Sequence, residues 1–144
     1  MTLPDPLPGL VIRYAYLWRD EASQGLEDGR KERPCAVVLS ARSVDGRTVV
    51  LVAPITHAPP HRPELAIELP ETTKRRLGLD DQRSWIIAND LNRFVWPGVD
   101  LRPIGRGSQT FAYGFLPSTL QRELRDKVME LAGRGRAAIT RRSE

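Results

Sequence analysis

Arg33 and Thr56 are the side chains whose types and positions best suit the gripping of an oxyanion. Arg33 precedes Pro34 and the run Cys35-Ala36-Val37-Val38-Leu39, and Thr56 follows Val52-Ala53-Pro54-Ile55. Proline fixes its own φ and restricts its predecessor, so the arginine is held at a strand entrance. Between the runs, Asp45-Gly46 supplies hairpin turn chemistry. An antiparallel pair about that turn sets the residue before one strand across from the residue after the other. A guanidinium and a hydroxyl at one sheet end can hold a phosphodiester. The bland alternative is a surface arginine beside a strand-end hydrogen bond.

Other chemistries find less support. His57 and His61 are four apart, a zinc-like spacing on a helix, but Pro59 and Pro60 between them forbid that helix. There is no His-Glu-x-x-His, no cysteine pair and no Gly-x-Ser-x-Gly elbow. Gly105-Arg106-Gly107-Ser108 precedes a strand-like run and so lacks the helix N-terminus that makes glycine loops bind phosphate. The single cysteine, Cys35, cannot form an internal disulfide and fits a buried apolar site.

The elements that must position these residues are mostly strands. Leu10 to Trp18 alternates, with Leu10, Ile12, Tyr14, Tyr16 and Trp18 on one face and Val11, Arg13, Ala15 and Leu17 on the other. Arg19 to Arg33 has no apolar rhythm and reads as a long solvated loop. Cys35 to Ala41 and Thr48 to Ile55 form the hairpin, and Thr56 to Pro63 is a proline-stiffened loop. Leu65, Ile67 and Leu69 alternate as a further strand. Glu71 to Leu77 suits a short helix closed by Gly78. Ser84 to Ala88 reads as a strand buried on both faces, and Gln109 to Phe115 as the last strand. Asn89 to Pro97 fits no pattern cleanly. Ser118 and Gln121 suggest a capping box, and Leu120, Leu124, Val128 and Leu131 share one helical face. The expected fold is mainly β with helices (α+β), a small, strongly bent antiparallel sheet or barrel carrying an amphipathic C-terminal helix.

The chain has 144 residues, 40% hydrophobic and 28% charged, which is one soluble-type domain with room for a core. Residues 1–8 read as a proline-rich extended arm, 9–133 as the domain and 134–144 as a basic flexible tail. No apolar run approaches a membrane span, and the N-terminus lacks a secretory pattern, so a cytoplasmic location is expected. The net charge of +4 leans mildly towards an anionic partner.

Gly9-Leu10-Val11-Ile12, Lys31-x-Arg33-Pro34-x-x-Val37-Val38-Leu39-Ser40 and Val52-x-Pro54-Ile55-Thr56 together resemble the signature series of the PemK/MazF toxins. Ile67-Glu68-Leu69-Pro70, Gly78-Leu79, Ser84-Trp85-Ile86 and Gly114 are similar to later parts of that family. An arginine and aspartate that members often carry after the strand ending here near Ala88 have no residue-by-residue match in Asn89 to Val95. The acid–base pair is therefore not carried over.

The resemblance implies an SH3-like barrel and a metal-independent endoribonuclease acting on single-stranded RNA, with no cofactor. The 2′-hydroxyl attacks its own phosphate, leaving a 2′,3′-cyclic phosphate and a free 5′-hydroxyl. It further implies a homodimer and a cognate antitoxin that blocks the groove. Arg33 would stabilise phosphorane charge, Thr56 would orient the phosphate, and His57 would serve as acid or base. Trp18, Arg30, Lys31 and Arg93 are candidate RNA contacts, by stacking or charge. The alternative function is a non-catalytic barrel of the same descent that binds RNA or a protein partner.

Overall fold

A computed structural model of the chain describes residues 3–25, 31–105 and 107–142. In chain order the elements are β1 (Leu10–Tyr16), α1 (Arg19–Ser23), β2 (Lys31–Arg42), β3 (Thr48–Thr56), a 3₁₀ turn (Pro63–Leu65), β4 (Ala66–Glu68), α2 (Glu71–Leu77), β5 (Trp85–Ile87), β6 (Asp90–Val95), β7 (Leu101–Arg102), β8 (Ala112–Phe115), α3 (Ser118–Gly133) and β9 (Ala138–Arg141). The protein is mainly β with three α-helices, an α+β fold. No helix among the described residues is long and apolar enough to cross a membrane.

The backbone of the sheet is the path β4-β5-β3-β2-β1-β7. β3 also pairs with β6, and β1 also pairs with β8. Among the described residues β4 and β7 do not pair, so the sheet remains open rather than closing into a barrel. Every pairing is antiparallel except that of β6 with β9.

The alternation of β1 divides two cores. Leu10, Ile12, Tyr14 and Tyr16 pack with Cys35, Val37, Val50, Val52 and Phe94 on one side of the sheet. Val11 turns to the other side, with Ala36, Val38, Ala53 and Ile55 beneath α3. That helix buries Leu120, Leu124, Val128 and Leu131, the face expected from its 3.6-residue period. Leu124 is 0% exposed, so Leu124→Ala is expected to cost about 2–5 kcal/mol in urea unfolding, from lost transfer free energy plus a cavity.

Several elements differ from expectation. Arg19 to Arg33 is not one loop, because α1 occupies Arg19–Ser23 and β2 begins at Lys31. The Glu21 carboxylate accepts the Trp18 N–H at 3.0 Å, which satisfies a donor that an apolar rhythm cannot reveal. The Leu65–Leu69 segment opens as a 3₁₀ turn before the short β4, and the Gln109–Phe115 segment is a strand only from Ala112. Ser118 and Gln121 form no capping box. The N-cap is Pro117, whose carbonyl accepts the Gln121 N–H at 2.9 Å, and the Gln121 side chain lies over Gly9 instead.

The flexible tail is also corrected. Residues 138–141 are β9, and Arg142 beyond it is 3% exposed. β6 supplies the reason, since its edge leaves backbone groups that β9 pairs, from Asp90↔Ala138 to Arg93↔Arg141.

Candidate functional site

The β2–β3 register runs from Arg42↔Thr48 to Cys35↔Pro54, crossing a bulge between Val37 and Leu39. Two residues further along, it brings Arg33 and Thr56 to the same end of the sheet. Both line a cavity of about 580 Å³, together with Lys31 and His57. β3 ends at Thr56, which frees His57 from the two-residue alternation that would otherwise turn it away.

Arg33 is half-buried. Its guanidinium lies 5.1 Å from the centroid of the Trp18 ring, a cation–π arrangement. Its Nε is shielded from solvent and has no hydrogen-bond partner among the described residues. A shielded donor without a partner is costly, and here it is the edge of a guanidinium that faces the cavity from a half-buried position. The Thr56 hydroxyl accepts the Ala58 N–H at 3.2 Å, which fixes the oxygen at the rim of the cavity.

His57 does not stand alone. Its Nε2 is 2.7 Å from Asp80 Oδ2, and Lys74 Nζ is 2.8 Å from Asp80 Oδ1. Lys74 is buried on α2 and also donates to the Gln82 carbonyl. Gly78 caps α2 at φ 73, a left-handed turn that residues with a Cβ rarely adopt, and so directs the chain to Asp80. The imidazole is thus oriented by a carboxylate that is itself held by a lysine. Burial pushes the Asp80 pKa up, but the Lys74 and Gln82 hydrogen bonds and the charges of His57 and Lys74 outweigh it and hold the carboxyl below the ordinary 3.8.

With its folded pKa depressed, Asp80 contributes its full stabilisation above the unfolded value near 3.8 and loses it as pH falls through the lower folded value. Asp80→Asn is therefore expected to flatten the acid limb of stability measured by urea unfolding between roughly pH 2 and 5. The same substitution removes the carboxylate that orients the imidazole.

Several cavity residues escaped the sequence reading. Arg13 donates from Nε to Glu32 Oε1 at 3.0 Å and from Nη1 to the Tyr113 hydroxyl at 3.0 Å. Arg102 adds a second cation to Glu32, with Nε 3.5 Å from Oε2. Arg13 was detectable, as the one charge within the alternating β1 run. No local signal ties Asp80 or Tyr113 to Thr56, because α2 and the path to β8 bring them there.

No family model, curated protein or solved structure matches the chain. Its chemistry has to be read from the residues in place.

Of the other expected contacts, Trp18 lines an adjoining cavity rather than this one, with its ring under Arg33. Arg30 lies outside the described residues. Arg93 lines neither cavity: the Asn89–Pro97 stretch forms β6, and alternation puts Arg93 on the face of Leu91, which packs in the α3 core. His57 and His61 line different cavities, and no group of three or more His, Cys, Asp or Glu among the described residues could hold a metal ion. Cys35 is fully buried, and burial pushes its thiol pKa far up, which keeps it an inert core group.

Proposed function

We propose that this chain is a metal-independent endoribonuclease of the PemK/MazF type, the toxin half of a toxin–antitoxin pair. Cleavage of single-stranded RNA in the cytoplasm would be its route to growth inhibition. The observation that carries the reading is the meeting of Arg33, Thr56 and the Asp80-held His57 on one cavity, from positions far apart in the chain. On this reading the bent sheet is a small SH3-like barrel left open at one seam. The working unit is a homodimer whose groove a cognate antitoxin segment blocks.

The chemistry needs three services. The 2′-oxygen forms a bond to the adjacent phosphorus while the bond to the 5′-oxygen breaks, giving a 2′,3′-cyclic phosphate and a 5′-hydroxyl. Negative charge gathers on the phosphoryl oxygens, and the fixed fork of Arg33 supplies donors there. The Thr56 hydroxyl donates to a phosphate oxygen and sets its orientation. His57, held by Asp80 through Nε2, uses its other ring nitrogen to take the 2′ proton or to deliver one to the leaving oxygen.

The test is incubation of purified protein with a mixed-sequence single-stranded RNA in excess chelator. Scission that survives the chelator and disappears in Arg33→Ala supports the proposal. Tight binding without scission would instead make the chain a non-catalytic RNA-binding relative, and neither binding nor scission would defeat the RNA reading.

A further inference from the structure

A second cavity of about 680 Å³ adjoins the first, and Thr56 and Ala58 line both. Its volume lies within the range of small-ligand pockets. Pro60, Leu65 and Ile87 give it apolar lining, while His61, Asn89 and Asp90 bring polar groups to it. It is an open cleft of mixed lining that Arg19, Asp20 and Arg136 also border, and its apolar wall suits one face of a planar heteroaromatic ring.

Asp90 is the best-defined of those polar groups. The Tyr16 hydroxyl donates to its Oδ1 at 2.6 Å, and the Arg19 N–H donates to its Oδ2 at 3.2 Å. The carboxylate is thereby fixed in the wall, and each oxygen keeps a further lone pair for a ligand. Tyr16 in turn packs edge-on to Trp18, with ring centroids 5.1 Å apart. Trp18 lines this cavity and lies beneath the Arg33 guanidinium, which belongs to the first. One contiguous set of side chains therefore runs from the phosphate grip to Asp90.

We infer that the second cavity receives the nucleobase next to the phosphate held by Arg33 and Thr56, and that Asp90 selects a base with an exocyclic amino group. The inference rests on the ribonuclease reading and adds a substrate preference to it. An ionised carboxylate only accepts hydrogen bonds, so it favours the amino groups of cytosine, adenine or guanine over the carbonyl edge of uracil.

Binding of 2′-O-methyl tetranucleotides to the intact chain tests this without catalysis, because the methylated oxygen cannot attack. At low salt, tetracytidylate is expected to bind about tenfold more tightly than tetrauridylate, as one charge-assisted hydrogen bond allows. Asp90→Asn keeps the shape, gains a donor and should bring the two affinities within about twofold. Ala58→Leu, at an exposed position on the shared wall, leaves the Asp90 hydrogen bonds intact. It should weaken both ligands about tenfold by narrowing the passage. Equal affinities for the two tetranucleotides, or a preference unchanged in both variants, would overturn the pocket assignment and leave the ribonuclease reading standing. No binding by any tetranucleotide would sink both.

Discussion

Replacing Arg33 by alanine is expected to lower kcat/KM on single-stranded RNA by about 10²- to 10³-fold, the usual cost of losing one preorganised donor to a charged transition state. Arg33 lines the cavity without an ion pair and with its buried Nε unbonded among the described residues, whereas Arg13 is committed to Glu32 and Tyr113. The drop should fall mainly on kcat, since charge on the phosphoryl oxygens grows towards the transition state. Arg33→Lys should recover only part of it, because a point charge replaces a planar fork. Thr56→Val, which removes a neutral donor and keeps the volume, should cost less, about tenfold. Unfolding midpoints of these variants, compared with that of the parent chain, separate lost chemistry from lost fold.

The largest expected effect on stability lies at the other end of the chain. Arg142 is buried, with Nη2 2.9 Å from Asp100 Oδ2, and Nη1 donating to the Ala15 carbonyl at 2.7 Å and to Asn92 Oδ1 at 2.9 Å. Its guanidinium also lies 5.4 Å from the Tyr14 ring centroid. Asn92, fully buried, spans back to β1 by accepting the Leu17 N–H at 3.0 Å and donating to the Leu17 carbonyl at 2.7 Å. Arg142→Ala opens a void beside Asp100, which keeps Arg102 Nη2 at 4.0 Å, and removes the donor to the Ala15 carbonyl and Asn92 Oδ1. The expected loss is about 3–5 kcal/mol in urea unfolding, from the broken buried pair together with those two hydrogen bonds. Arg142→Met with Asp100→Leu should recover much of that loss, since two apolar side chains need no partner. A loss below about 1 kcal/mol for Arg142→Ala would mean that β9 and its terminal arginine do not clasp the sheet.

What the sequence made legible follows from which interactions are local. The β1 alternation, the hairpin about Asp45-Gly46 and the α3 stripe are short-range patterns, and each appears in the fold, with β1 ending at Tyr16 rather than Trp18 and β2 starting at Lys31 rather than Cys35. The meeting of Arg33 with Thr56 was legible for the same reason, because one turn fixes the register of its two strands. The rest depends on long-range packing. β6 was obscure because Asp90, Asn92 and Arg93 interrupt its apolar pattern, and Asn92 is buried only because Leu17 and Arg142 satisfy its amide. β9 carries little apolar signal and exists because the β6 edge is open to it. The chain from Lys74 through Asp80 to His57 joins α2 to the exit of β3, and no spacing rule connects those segments.

Within the site, the most informative side chains were the ones without a local pattern. Arg13 is the one charge in the apolar alternation of β1, and Tyr113 and Glu32 account for it. Arg93 looked like a basic groove residue while its segment had no assigned structure. Once the segment is a strand, alternation puts Arg93 on the face of Leu91, and it lines neither cavity.

In the proposed reaction the cavity of Arg33, Thr56 and His57 drives attack of a ribose 2′-hydroxyl on the neighbouring phosphate. Mass spectrometry of products from a single-stranded RNA, digested in excess chelator, reads the chemistry of that step directly. The expected fragments end in 2′,3′-cyclic phosphate and begin with a 5′-hydroxyl, with no scission where a single 2′-deoxy sugar precedes the cleaved bond. Fragments beginning with a 5′-phosphate, or scission that persists at the deoxy position, would contradict it.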